Sequence, residues 1–217
     1  LVHSIEATGG INTVRSVAFS EDGSLVLAGL IHRGIAAFRV EDGSAAGRLG
    51  GHTEAVSGLA MSGGLLVSSS WDGTLRTWDP AEIASAGGMV TLRGHTDHVF
   101  ATAFSPDGSW AASASIDGTV RLWDAALREE IAAVRALGGG AVTALAFSPD
   151  GGSLAVGGAG PVVRVIDLAT GMGRAELDGH GRGVASVGFG PLGRRVATGG
   201  QDGVARIDRL RLEAKVR

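Results

Sequence analysis

The chain has no cysteine and no tyrosine, and only five of its 217 residues are proline. The missing cysteines exclude disulfides, thiolate metal ligands and cysteine nucleophiles together. No apolar run approaches the about 20 residues of a membrane-spanning helix. The opening LVHSIEATGG lacks the basic stretch and apolar core of a secretory leader. A soluble protein that contacts no membrane is therefore expected, with the cytoplasm favoured. The first residue is Leu1 and not methionine, which suggests a processed chain or a piece of a longer one. An excess of one charge is missing too. With 19 basic against 22 acidic residues and a formal net charge of −3, the basic footprint of a nucleic-acid binder is absent, so no nucleic-acid partner is expected. There is no P-loop, the glycines at 157–161 open no helix, and no histidine or carboxylate spacing suits a metal, so no cofactor is implied.

What is abundant is glycine, 37 residues without a three-residue period. Many glycines follow aspartate, as in Asp22-Gly23, Asp72-Gly73, Asp107-Gly108, Asp117-Gly118 and Asp150-Gly151, where a turn needs positive φ. These turns punctuate a long repeat. Phe19, Met61, Phe104, Phe147 and Phe189 lie 42, 43, 43 and 42 residues apart. The clearest copy is GHTDHVFATAFSPDGSWAASASIDGTVRLWD, from Gly94 to Asp124. A period of about 40–45 residues, with Gly-His near its start and Trp-Asp near its end, is the pattern of a four-stranded propeller blade. On these residues the chain resembles a WD-repeat β-propeller of the beta-transducin type over nearly all of residues 10–208.

The expected fold is all-β, a propeller of four-stranded antiparallel blades with about five WD-type repeats, forming part of a larger propeller. Members of the family usually close with about seven blades. The whole of 1–217 is then one domain, with blades at about 9–50, 51–93, 94–135, 136–178 and 179–217. In blade one the inner strand is expected at Val14–Phe19, the second at Leu25–Leu30, the third at 34–40 and the outer one near Ala45–Leu49. Residues 1–8 are assigned to an outer strand of another blade, Pro80 to Met89 to a loop, and Leu210 to Val216 to a half-exposed edge strand. Runs such as VFATAF, VTALAF and VASVGF are apolar at both parities, which predicts burial on both faces between neighbouring blades.

Blade two carries His52, Ser68, Asp72 and Trp78, blade three carries His95, Ser113, Asp117 and Trp123 at matching offsets, and blade five keeps His180, Thr198 and Asp202. Ser, His and Asp together invite a hydrolase reading. A catalytic set must converge once, at an accessible site with an oxyanion hole, whereas this one recurs. The resemblance implies instead a buried hydrogen-bonded chain tying the loop between blades to the turn after the second strand. Blade one has Gly10, Ala28, His32 and Phe38 at those positions, and blade four has Gly138, Val156, Gly160 and Ile166. Removing all partners together avoids orphaned polar groups. In blade five Asp208 stands at the tryptophan position, which leaves the set incomplete.

In each blade the inner strand begins, and the second strand ends, on one rim. The positions there are Thr13, Arg15 and Ile31; Ala55, Ser57 and Trp71; His98, Phe100 and Ile116; Ala141, Thr143 and Ala159; and Gly183, Ala185 and Gln201. Large side chains fall in blades one to three, and apolar groups with tryptophan at solvent-facing turns are what an interface core supplies. Arg15, Ile31, Trp71, His98, Phe100 and Ile116 are therefore the candidate partner-binding residues, and the resemblance implies a protein or peptide partner. The expected function is a non-catalytic interaction scaffold. The alternative is the regulatory or substrate-docking domain of a longer enzyme such as a kinase, an NTPase or a ubiquitin ligase subunit. Remaining blades of the same parent chain are a further expected partner.

Overall fold

The computed structural model describes residues 13–32, 34–80, 83, 89–126 and 128–210. The strand expected at 1–8 and the edge strand expected beyond Leu210 lie outside the described residues, as does most of the loop at 80–89. Among the described residues the regular elements are nineteen strands. Blade one holds β1 (Val14–Phe19), β2 (Leu25–Leu30), β3 (Ile35–Arg39) and β4 (Ala45–Leu49). Blade two holds β5 (Val56–Ser62), β6 (Leu65–Ser70), β7 (Leu75–Trp78) and β8 (Val90–Leu92). Blade three holds β9 (Val99–Phe104), β10 (Trp110–Ser115), β11 (Thr119–Asp124) and β12 (Glu129–Arg135). Blade four holds β13 (Val142–Phe147), β14 (Ser153–Gly158), β15 (Val163–Asp167) and β16 (Gly173–Leu177). Among the described residues blade five holds three strands, β17 (Val184–Phe189), β18 (Arg195–Gly200) and β19 (Ala205–Arg209). Every sheet is an antiparallel meander in sequence order.

The Asp-Gly pairs make the turns the sequence demands. In blade three Gly108 has φ 72°, and the Asp107 carboxylate accepts from Ser105 Oγ at 2.6 Å and from the Ser109 N–H at 3.1 Å. Those bonds, Ser105 first, hold Asp107 below the ordinary carboxylate range. Blade one repeats the arrangement at Asp22, held down to about 2 by Ser20 and Ser24.

The inner strands β1, β5, β9, β13 and β17 lie side by side in chain order, and one apolar core fills each gap between blades. Leu27, Ile35, Val56, Leu66 and Trp78 join blades one and two, with Ile83 closing the edge. Val67, Leu75, Val99, Ala111 and Trp123 join two and three. Val120, Leu122, Val142, Leu154 and Ile166 join three and four, and Val163, Val165, Val184, Val196 and Leu210 join four and five. Burial on both faces holds where a blade has two neighbours: β10 and β14 are buried almost throughout. Among the described residues the array is open, and the terminal blades depart from that pattern because each has no described blade on one side. Val17 is 65% and Phe19 61% exposed on β1, while Ile207 is 72% exposed on β19.

Candidate interaction site on the rim

The rim is built by one backbone device used five times. The residue after the second strand donates its N–H to the carbonyl of the residue before the inner strand. Ile31 donates to Thr13 at 3.0 Å, Trp71 to Ala55 at 3.0 Å, Ile116 to His98 at 3.0 Å, Ala159 to Ala141 at 3.1 Å and Gln201 to Gly183 at 2.8 Å. The second residue of each inner strand is then skipped by the ladder. Val14 pairs Leu30 and Ser16 pairs Gly29, leaving Arg15 bulged, and Val99 pairs Ser115 while Ala101 pairs Ala114, leaving Phe100 bulged. Ser57, Thr143 and Ala185 are skipped in the same way. A bulge frees a side chain from the alternation of the strand and re-aims it. Position in the repeat puts these residues at the start of each inner strand, but nothing in their sequence marks the bulge.

What the bulge does depends on the residue it carries. Ser57 Oγ donates to the Val99 carbonyl at 2.5 Å and Thr143 Oγ1 to the Val184 carbonyl at 3.2 Å, so in blades two and four it ties one inner strand to the next. Arg15 and Phe100 instead converge on Trp71. The Arg15 guanidinium carbon lies 4.7 Å from the Trp71 ring centre. The His98 ring stacks on Trp71 with centroids 5.6 Å apart, and the Phe100 ring is tilted against it at 5.8 Å. Four side chains from three blades thus form one cluster around a half-buried tryptophan, with Arg15 and His98 exposed and Phe100 half-buried. His98 also pairs through Nδ1 with Asp97 at 3.0 Å. The Trp71 indole N–H is covered and has no acceptor. Ile31 is half-buried and Ile116 exposed in the turns of their own blades, and neither enters this stack.

Beneath the rim lie the recurring polar sets. His52 Nδ1 meets Asp72 at 2.8 Å and its Nε2 meets Ser68 Oγ at 2.8 Å, while the Trp78 indole donates to the same oxygen at 2.8 Å. In blade three the corresponding distances are 2.8 Å for His95 to Asp117, 2.7 Å for His95 to Ser113 and 2.9 Å for Trp123 to Ser113. In blade five His180 meets Asp202 at 3.2 Å and Thr198 at 2.8 Å. The imidazoles of His52 and His95 are fully buried. Burial alone would raise the Asp72 and Asp117 carboxyls. Hydrogen bonds from His52 and Thr74 in the first case, and from Thr119 and His95 in the second, outweigh it and hold both well below the usual range. Asp202 is held down to about 2, chiefly by the Gly181 N–H. Burial pushes the His95 imidazole down, against the pull of Asp117.

Two members of these sets were missed in the sequence. Thr74 Oγ1 and Thr119 Oγ1 each donate to the adjoining carboxylate at 2.6 Å. The signal was available, since Asp-Gly-Thr occurs in blades two and three and Asp-Gly-Val in blade five. Where the polar set is lost, apolar packing takes its place. Ala28 and Phe38 are buried with Leu30 and Ala36, and Val156 and Ile166 belong to the core between blades three and four. Gly10 lies outside the described residues.

A family profile described as WD domain, G-beta repeat matches residues 43–79, 89–124, 133–167 and 173–207, more than half of the chain. Each match begins in the outer strand of one blade and runs through the inner three strands of the next, so the sequence repeat straddles two sheets. Over 94 residues, 42% of the chain, it is 42% identical to human WD repeat and SOCS box-containing protein 1, of which the match covers 22%. It is 31% identical over 144 residues to WD repeat-containing protein SL1-17 of Schistosoma mansoni, covering 66% of this chain and 46% of that one. It is 39% identical over 67 residues to human coronin-7, covering 30% and 7%. The matched part thus spans less than half the length of each of these relatives.

Proposed function

The chain belongs to the WD-repeat family, whose members generally serve as protein-interaction scaffolds, and from that premise we propose that it binds a protein or peptide partner on its rim without catalysing a reaction. The observation that carries this reading is the cluster of Arg15, Trp71, His98 and Phe100, drawn from three blades and accessible at its edge. A central aromatic surrounded by polar groups is the composition of a binding hot spot. Ile31 and Ile116, in the corresponding turns of blades one and three, are further candidate contacts. The His52, His95 and His180 sets are scaffolding in this reading. Their imidazoles are sealed from solvent or nearly so, and a fully paired polar set rigidifies the loops that carry the rim.

The test is selection from a random peptide display library on the purified chain, repeated with Trp71→Ala and Phe100→Ala. Peptides enriched on the native chain are expected to be lost on both variants, with unfolding free energy lowered by no more than about 1 kcal/mol. Equal losses of binding and stability would sink the reading. A second reading, a docking domain within a longer protein such as an enzyme, is favoured by the relatives being longer than the matched part, one of them named for a SOCS box besides its WD repeats. It uses the same rim.

A further inference from the structure

Resting on the reading of the rim as a peptide-binding surface, we infer that the partner segment carries an aspartate or glutamate whose carboxylate is taken by Arg15 at the edge of the Trp71 cluster. Arg15 rests on the Trp71 ring, at 4.7 Å, and among the described residues it has no carboxylate partner. Other arginines of blades two to four are committed. Arg121 pairs with Glu130, Arg164 pairs with Glu176 at 2.7 Å, and Arg76 reaches the Met89 sulfur at 2.6 Å. A guanidinium resting on an aromatic ring is engaged through its face, and its N–H donors stay at its edge. The bulge is what places this cation over blade two instead of along its own strand.

The acids of the same rim do not answer it. Asp97 is paired with His98, and Asp72 and Asp117 are held by His52 and His95. Glu54, exposed in the loop before Ala55, is the other acidic side chain of this stretch and makes no bond to Arg15. The Trp71 indole N–H is covered, so the exposed guanidinium edge of Arg15 is the donor an incoming group can reach. Unmet donors on an exposed cation call for an acceptor. A carboxylate supplies two oxygens and the opposite charge, and suits the fork of an arginine. The apolar walls of Trp71 and Phe100 exclude water beside that pair and strengthen it.

The probe is the same random peptide display library, with the composition of the selected peptides as the readout. Peptides retained by the native chain in a Trp71-dependent way are expected to be enriched in Asp or Glu. Replacing that acid by Asn or Gln in a synthetic copy should weaken binding about tenfold, and raised salt should weaken the parent peptide more than the amide copy. Arg15→Gln should abolish the difference between acid and amide peptides, and Arg15→Glu should select basic residues instead. Arg15 is exposed, so both variants should melt as the native chain does. Trp71-dependent peptides with no acidic enrichment, or bound equally by Arg15→Glu, would overturn the acidic partner and leave the rim reading standing. An absence of any Trp71-dependent peptide would remove the rim reading and this inference with it.

Discussion

Ser113 Oγ takes the Trp123 indole N–H and faces His95 Nε2, so one hydroxyl serves two buried rings. Ser113→Ala orphans both, and each unsatisfied buried group costs about 1–3 kcal/mol. A loss of about 2–4 kcal/mol in urea unfolding is expected. Thr198→Val in blade five orphans only His180 Nε2, because Asp208 replaces the tryptophan, and should cost about half as much. A larger loss at Thr198 than at Ser113 would contradict the shared-hydroxyl account. The same sets fix the response to acid. His95 is depressed in the folded chain below 6.5, so as pH falls through 6.5 the unfolded chain takes up a proton that the folded chain refuses, and stability declines. Asp72, Asp117 and Asp202 are depressed from 3.8, so their contribution is present above that value and is lost as pH falls towards their folded values. The thermal midpoint should therefore hold above about pH 6.5 and fall in two stages below it. A midpoint unchanged between pH 7 and pH 5 would contradict the burial of neutral His95.

At the scale of elements the turns and the bulges differ in how visible they were. Asp-Gly announces a turn because glycine takes positive φ without a steric cost, and Gly108 and Gly118 do so at 72° and 83°. Their surroundings separate them. A side chain at Gly118 would meet the Gly139 backbone oxygen at 2.8 Å, whereas at Gly108 it meets the end of the Ser62 side chain, which can turn away. Gly118→Ala is expected to cost more than about 1 kcal/mol, and Gly108→Ala less than Gly118→Ala, by chemical denaturation. The bulges left no such mark. VRSVAF, VFATAF and VASVGF are unbroken strand sequences, and the skipped residue is set by pairing with the second strand and not by its own identity. Arginine, serine, phenylalanine, threonine and alanine all occupy that place, so composition could not reveal it.

At the scale of the molecule the open array leaves Val17, Phe19 and Ile207 exposed on its terminal blades. The counterparts of Val17 and Ile207 in blade four are covered by a neighbour: Leu145 is 9% and Val165 0% exposed. Further blades are the expected cover. Light scattering of the 217-residue chain should accordingly show dimers or aggregates, with a broad thermal transition. A monodisperse monomer with one sharp transition would show instead that the two end faces satisfy each other. Trp71 illustrates why the rim belongs to this scale. Its partners come from positions 15, 98 and 100, on blades to either side, so the cluster exists only once three blades are stacked.

The 43-residue period, the Asp-Gly turns and the repeated His, Ser, Asp and Trp were local regularities, and local regularities determined the class of fold, the strand order within a blade and the polar sets beneath the rim. They could do so because hydrogen-bonded turns and antiparallel meanders depend on residues near one another in the chain. Which rim residues meet was decided by tertiary structure. The ladder had to choose a residue to skip, and the stacking of blades had to bring Arg15 to Trp71 across 56 positions of sequence. Neither choice follows from propensity, since both are settled by packing between elements distant in the chain.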